Sequence, residues 1–294
     1  MALRTQISER QRRIGAEYRR LREEAGLTVK EAAERVGMGS PQLSHIEAAR
    51  TSLDAGRVRA LAVACGCTDA PYVDALIDMG ASDGKGWWTS YKNQMPDFSL
   101  DLAEMEGVAQ SVHNYETFYV PGLLQTPAYT NRVYEHRYGR TVSDPEMSLQ
   151  FRHERQSVLT KDGAPDFRFV IHEAALHMRF AGAQKMREQL IHLLEMAALP
   201  NVKIQVLPSA VEESSPYPSP FLICEPGHAD LATVVVDHPN RSEFLGSQAE
   251  LAEYRKTFAH LSGISLPPVD ASTSPRAHAA RDSWGLIQHI MYQL

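Results

Sequence analysis

Residues 28–48 read TVKEAAERVGMGSPQLSHIEA, and this stretch decides the fold of the first third of the chain. Val29, Ala32, Ala33 and Val36 fall on one face at helical spacing, which predicts an amphipathic helix. Gly37 follows the last periodic position, where a residue able to adopt positive φ ends a helix. Ser40 with Pro41 is a start signal, an N-cap and a first-turn proline, and predicts a second helix. Leu43 and Ile46 supply its inner face, which leaves Ser40, Gln42, Ser44 and His45 to point outward. Two helices crossed over a short glycine turn make a helix-turn-helix. Ala33 is small where the helices must cross, and Gly37, Leu43 and Ile46 follow it at offsets of 4, 10 and 13.

Working outward, Ile14, Tyr18, Leu21 and Ala25 form the stripe of a preceding helix, and Leu53 to Ala64 and Pro71 to Met79 read as two more. With these flanks, GAEYRRLREEAGLTVKEAAERVGMGSPQLSHIEAAR resembles the helix-turn-helix domain of phage-repressor-like (XRE-type) transcriptional regulators. The resemblance implies an ion pair between Arg22 and Glu47 that ties the first helix to the recognition helix. It also implies readout of DNA bases from the start of the recognition helix. Two positions depart from the family: Val29 replaces a frequent Gln, and Pro41 replaces a residue that often reads a base. Base readout is therefore expected from Ser40, Gln42, Ser44 and His45, which can reach the major groove, and phosphate contacts from Thr28, Lys30 and Arg50.

The chain has 294 residues, enough for two domains with proper cores. Its net charge of −6 is unlike that of a nucleic-acid binder, but the charge is unevenly placed. Residues 1–65 carry 12 Lys+Arg against 8 Asp+Glu, and the remainder 18 against 28. A balance of +4 at the head and −10 in the body confines attraction for phosphate to one end. No apolar run approaches the roughly 18 residues that span a bilayer, and MALRTQISERQRR lacks the apolar stretch of a secretory signal. Three cysteines, two of them in Cys65-Gly-Cys67, make no disulfide framework, so the chain reads as cytoplasmic, its thiols idle and without a cofactor.

Gly80-Ala-Ser-Asp-Gly-Lys-Gly86 marks the boundary of a second domain. The expected division is a helix-turn-helix domain over 1–80, a body over 87–265, and a loop with a terminal helix over 266–294. From Leu100 to about Tyr115 the pattern reads as a helix, and residues 145–160 read as another. FRFVIHEA from Phe167, then Gln184 to Leu199, then Val202 to Leu207 outline a strand, a helix and a strand, hence a parallel βαβ unit. Phe221–Cys224 and Ala232–Asp237 read as a hairpin turning near Pro226-Gly227. Helix returns at Gln248–Leu261, and Ser274-Pro275 opens a last one with a stripe at Trp284, Ile287 and Met291. The fold class is thus an all-α head and an α+β body with a small mixed sheet.

VPGLLQTPAY, Trp87-Trp88, Met105-Glu106-Gly-Val-Ala109, Arg152-His-Glu-Arg155-Gln156, His172-Glu-Ala-Ala-Leu176, Ile204-Gln-Val-Leu-Pro208 and Tyr254…Phe258…Leu261 together are similar to the C-terminal domain of the WhiJ-like regulators of actinobacteria. That resemblance implies a DNA-binding regulator commonly encoded beside a small acidic partner protein, an antitoxin-like arrangement. Apart from it, Trp87, Trp88, Arg152, Arg155 and Glu173 are the candidate ligand or partner contacts of the body. His172 and His177 lie five residues apart, about 140° around a helix, so they cannot share a metal from one regular helix. Three readings compete: a homodimeric regulator of a palindromic operator, a one-component regulator whose body binds a small molecule, and an enzyme with a DNA-targeting head; a motif-rich head and a body without a reactive constellation favour the first, with the second as its alternative and no enzyme expected.

Overall fold

The computed structural model describes residues 6–136, 144–212, 217, 219–238, 241–272 and 282–294. The chain divides into two compact units: unit 1 comprises residues 1–109 with 225–233, and unit 2 comprises 110–224 with 234–294.

Unit 1 is helical. It contains α1 (Glu9–Glu24), α2 (Val29–Arg35), α3 (Ser40–Glu47), α4 (Ala55–Ala64) and α5 (Ala70–Ala81), then a 3-10 turn (Trp87–Tyr91) and α6 (Asp97–Val108). Local chemistry sets the boundaries. Ser8 with Gln11 and Thr28 with Glu31 form capping boxes on α1 and α2, while the Asp54 and Asp69 side chains cap α4 and α5. The apolar stripes converge on one core: Ile14, Tyr18 and Leu21 from α1, Ala32 and Ala33 from α2, Leu43 and Ile46 from α3, and residues of α4 and α5. Leu231, from a 3-10 turn at Ala229–Leu231, completes that core.

Unit 1 continues beyond the glycine-rich turn at 80–86. The Arg10 guanidinium donates to Glu104 Oε1 at 2.8 Å, to Ser82 O at 3.1 Å and to Met79 O, joining α1, the end of α5 and α6. Trp88 packs where glycine backbone makes room: a Cβ on Gly86 would lie 2.3 Å from its ring.

Unit 2 is built on a six-stranded sheet in the order β3-β2-β1-β4-β5-β6. The strands are β1 (Ser111–Glu116), β2 (Asp166–His172), β3 (Val202–Leu207), β4 (Phe221–Glu225), β5 (Thr233–Asp237) and β6 (Ser242–Leu245). β1, β2 and β3 are parallel, with Val112 opposite Phe167 and Phe169 opposite Ile204, whereas β5 and β6 are antiparallel. The sheet is mixed, and the protein is an all-α unit followed by an α+β unit. Helices α7 (Pro127–His136) and α8 (Pro145–Gln156) connect β1 to β2. Helices α9 (Glu173–His177) and α10 (Ala183–Met196) connect β2 to β3, while α11 (Gln248–Ile264) and α12 (Ser283–Tyr292) follow the sheet.

The sequence expectations need three corrections. The helix expected from Leu100 to Tyr115 ends at Val108, and Ser111–Glu116 is β1, with β2 on one side and β4 on the other. Pairing on both edges overrides a sequence, SVHNYE, that has one β-branched residue. The connection between β4 and β5 is not a tight turn at Pro226-Gly227 but the segment that carries Leu231 into the core of unit 1. The last helix begins at Ser283 under an Asp282 cap, and the Ser274-Pro275 start signal lies outside the described residues. Its stripe is turned inward at Ile287 and Ile290, which are buried, with Trp284 and Met291 half-buried.

Candidate nucleic-acid interface

The turn between α2 and α3 is fixed by backbone bonds. Gly37 has φ of 66°, its N–H donates to Glu34 O at 3.2 Å, and Met38 N–H donates to Ala33 O at 2.9 Å. That pattern is a Schellman closure, which needs a left-handed residue at the glycine position. The N-cap of α3 is Gly39 rather than Ser40: the Gly39 carbonyl accepts from Gln42 at 2.9 Å and from Leu43 at 3.2 Å, and no side chain caps the helix. Ser40 therefore occupies the first turn, and its hydroxyl takes no part in the cap.

The inner face of α3 is locked. Leu43 and Ile46 are almost wholly buried. Glu47 receives both Arg22 Nε at 2.6 Å and Arg22 Nη2 at 2.9 Å, a two-pronged pair with 10% and 3% of the side chains exposed. Arg22 also donates to Leu27 O at 3.0 Å, so one guanidinium spans α1, the start of the α2 turn and α3. The Glu47 bonds bind the Arg22 proton more tightly than usual, against the opposing effect of burial. α1 approaches α3 closely at Gly15: a Cβ there would lie 2.7 Å from Glu47 O and 3.1 Å from Ala49 N and Ile46 O. Sequence reading passed over this glycine because it sits mid-helix, where no turn signal marks it.

The outer face is uncommitted. Gln42 and Ser44 are exposed, and Ser40 and His45 half-buried. Around them, Lys30 and Arg50 are exposed, Lys30 lying 4.0 Å from Glu34. Thr28 is exposed but engaged: its hydroxyl donates to Glu31 Oε2 at 2.7 Å and accepts from Glu31 N–H at 3.2 Å, and its amide donates to the same carboxylate at 2.8 Å.

The candidates from the body do not form one group. Trp87 and Trp88 belong to unit 1, their rings edge to face at 6.1 Å. Glu173 opens α9, accepting from Ser209 N–H at 2.6 Å and contacting His177 Nε2 at 3.2 Å; burial raises its carboxyl, but those bonds outweigh it and hold it below the usual range. His172 caps that helix through Nδ1, which accepts from Ala174 N–H at 3.2 Å. Arg152 and Arg155 lie on α8 beside the PGLLQT turn. That turn is stitched from within: Gln125 Nε2 donates to Val120 O at 2.7 Å, Gln189 Nε2 to Leu124 O at 2.7 Å, and Gln156 Nε2 to Gln125 O at 2.7 Å.

Cys65 and Cys67 are half-buried free thiols, and burial pushes Cys65 above its ordinary range. Among the described residues no group of three or more His, Cys, Asp or Glu is placed to hold a metal ion. No helix among them is long and apolar enough to cross a membrane.

Two helices over a glycine turn, one face locked into a core and the other polar and open, define a DNA-binding helix-turn-helix protein of transcription-regulator type. Residues 13–75 match the model of a helix-turn-helix domain. Residues 100–274 match a domain of unknown function (DUF5753), and the chain belongs to that family. No curated protein and no solved structure matches.

Proposed function

We propose that this chain is a sequence-specific transcriptional regulator that reads the major groove with the outer face of α3. The observation that carries the reading is the division of that helix: Leu43, Ile46 and Glu47 are fixed against α1 and α2, while Ser40, Gln42, Ser44 and His45 remain available. Gln42 and His45 suit base edges, and Ser40 and Ser44 suit edges or phosphates. Lys30 and Arg50 supply the phosphate contacts. Thr28 contributes little, since its hydroxyl and amide both serve the capping box and Glu31 stands beside it.

One helix-turn-helix reads only a few base pairs, too few to single out a site in a genome. The reading therefore includes two chains on a palindrome with half-sites about one helical turn apart. Trp87, Trp88 and the half-buried Trp284 and Met291 of α12 are the candidate surfaces for that pairing. A small acidic partner protein would compete with DNA for the same basic surface. Both the pairing and the partner rest on DNA geometry and on the family resemblance. Genome-wide mapping of bound DNA, followed by titration of recovered and scrambled sites, tests the proposal. A chain that binds both equally at physiological salt is not a sequence-specific regulator.

A further inference from the structure

β4 ends at Glu225, and β5, its neighbour in the sheet, begins at Thr233. The chain between them belongs to unit 1. This connection is wound rather than slack. His228 N–H donates to Pro226 O at 2.7 Å, Leu231 N–H to His228 O at 3.1 Å and Ala232 N–H to Ala229 O at 3.0 Å. Asp230 N–H donates to His228 Nδ1 at 3.2 Å. Stretching the segment breaks these bonds, so a movement at either strand end is passed along it and not absorbed.

The segment grips two helices. On α1, Arg13 Nε donates to Ala232 O at 3.1 Å and Nη2 to Asp230 O at 2.6 Å, while the same guanidinium pairs with Glu17. On α5, the His228 ring meets Tyr72 edge to face with centroids 5.5 Å apart. His228 Nε2 lies 3.6 Å from Asp69 Oδ2, and Asp69 is the cap of α5. Tyr72 Oη donates to Glu17 Oε2 at 2.6 Å, which ties the two grips together. Leu231, wholly buried, packs into the core that α1, α3 and α5 share.

α1 carries this grip on to α3. Gly15, two residues past Arg13, lies against the Ile46 and Glu47 carbonyls, and Arg22 holds the Glu47 carboxylate with two bonds. α2 has seven residues and α3 eight, lengths at which a helix depends on what it packs against. We propose that residues 225–233 couple β4 and β5 to α3, so that loosening one loosens the other. An event that tightens or shifts those strands then acts on DNA recognition without touching the reading face. The link to recognition rests on the reading face assigned to α3, whereas the coupling is measured on the chain without DNA.

The test is hydrogen exchange of the full chain, read by mass spectrometry. Val235→Ala loosens β5 just past the segment, and Ile204→Ala loosens β3 at the far edge of the same sheet; both side chains are buried. Val235→Ala should speed exchange of the α3 amides about fivefold or more, the lower end of ordinary coupling, and Ile204→Ala should leave them unchanged. Coupling is reciprocal, so Leu43→Ala in α3 should speed exchange in β5 by a similar factor and spare β3. Short Gly-Ser insertions after Glu225 and after Ala232 supply slack while keeping the bonds to Arg13, and should abolish both responses. Should the lengthened chain fail to fold, the reciprocal pair of point variants decides. An α3 indifferent to Val235→Ala, a response to Ile204→Ala as large as to Val235→Ala, or responses that survive the insertions would each overturn the coupling.

Discussion

At Gly15 two effects of opposite sign meet. Alanine in the middle of a helix is favoured over glycine by about 1 kcal/mol. Here, however, the added methyl would lie 2.7 Å from Glu47 O, a backbone atom that cannot swing aside. Overpacking against a fixed neighbour costs about 1–3 kcal/mol, so Gly15→Ala should lower the melting temperature of the chain. A rise would show that α1 shifts freely on α3. The Arg22–Glu47 pair makes a second test at this scale. Removing Glu47 leaves the nine-tenths-buried Arg22 only the exposed Glu23 carboxylate at 3.2 Å, at a cost on the order of 3 kcal/mol, whereas removing both spares that penalty. Glu47→Ala should thus destabilise more than Glu47→Ala combined with Arg22→Ala, as read from denaturant midpoints. Equal losses would reduce the pair to ordinary surface charge. Arg22 and Glu47 could be named from sequence because a family pattern pairs them; Gly15 could not, since its constraint comes from a helix some thirty residues on.

At the scale of the element, α3 separates stability from recognition. Substituting Gln42 or His45 by Ala removes nothing from the core, so the melt should be unchanged while discrimination between operator and random DNA falls by about 1–3 kcal/mol. Lys30→Ala and Arg50→Ala should instead weaken all DNA alike and flatten the salt dependence, since they act through phosphates. If Gln42→Ala and His45→Ala leave discrimination intact, the reading face lies elsewhere. What was legible in the sequence follows this same line. Elements with a local cause could be read: Ala33, Gly37, Leu43 and Ile46 mark the helix-turn-helix, and alternating apolar runs mark β2 and β3 with α10 between them. β1 carries no such signal in SVHNYE, because its conformation comes from partners about fifty-five residues along on one side and more than a hundred on the other. With β1 hidden, the pairing of Ser111–Glu116 with β2 and β4 was hidden too.

At the scale of the whole molecule, the chain leaves the sheet after β4, completes unit 1 with residues 225–233, and returns as β5. Arg13 on α1 donates to Asp230 O at 2.6 Å and to Ala232 O at 3.1 Å, and it pairs with Glu17. Burial would raise the Glu17 carboxyl, but Arg13, Tyr72 and Arg20 outweigh it and hold it below the ordinary range. His228 sets its ring edge on Tyr72 with centroids 5.5 Å apart, and Leu231 is fully buried. The helix-turn-helix therefore borrows part of its core from a segment more than a hundred residues downstream. Leu231→Ala should destabilise unit 1 by about 2–5 kcal/mol, the range for a buried leucine. A fragment of residues 1–109 should melt well below the full chain, since it loses Leu231 and leaves Arg13 without its two carbonyl acceptors. Proton exchange gives the matching observation on the intact protein: amides of α1 and α5 in Leu231→Ala should exchange faster, whereas those of β2 and β3 should keep their protection. A 1–109 fragment as stable as the full chain, with α1 equally protected, would reduce the segment to a surface attachment.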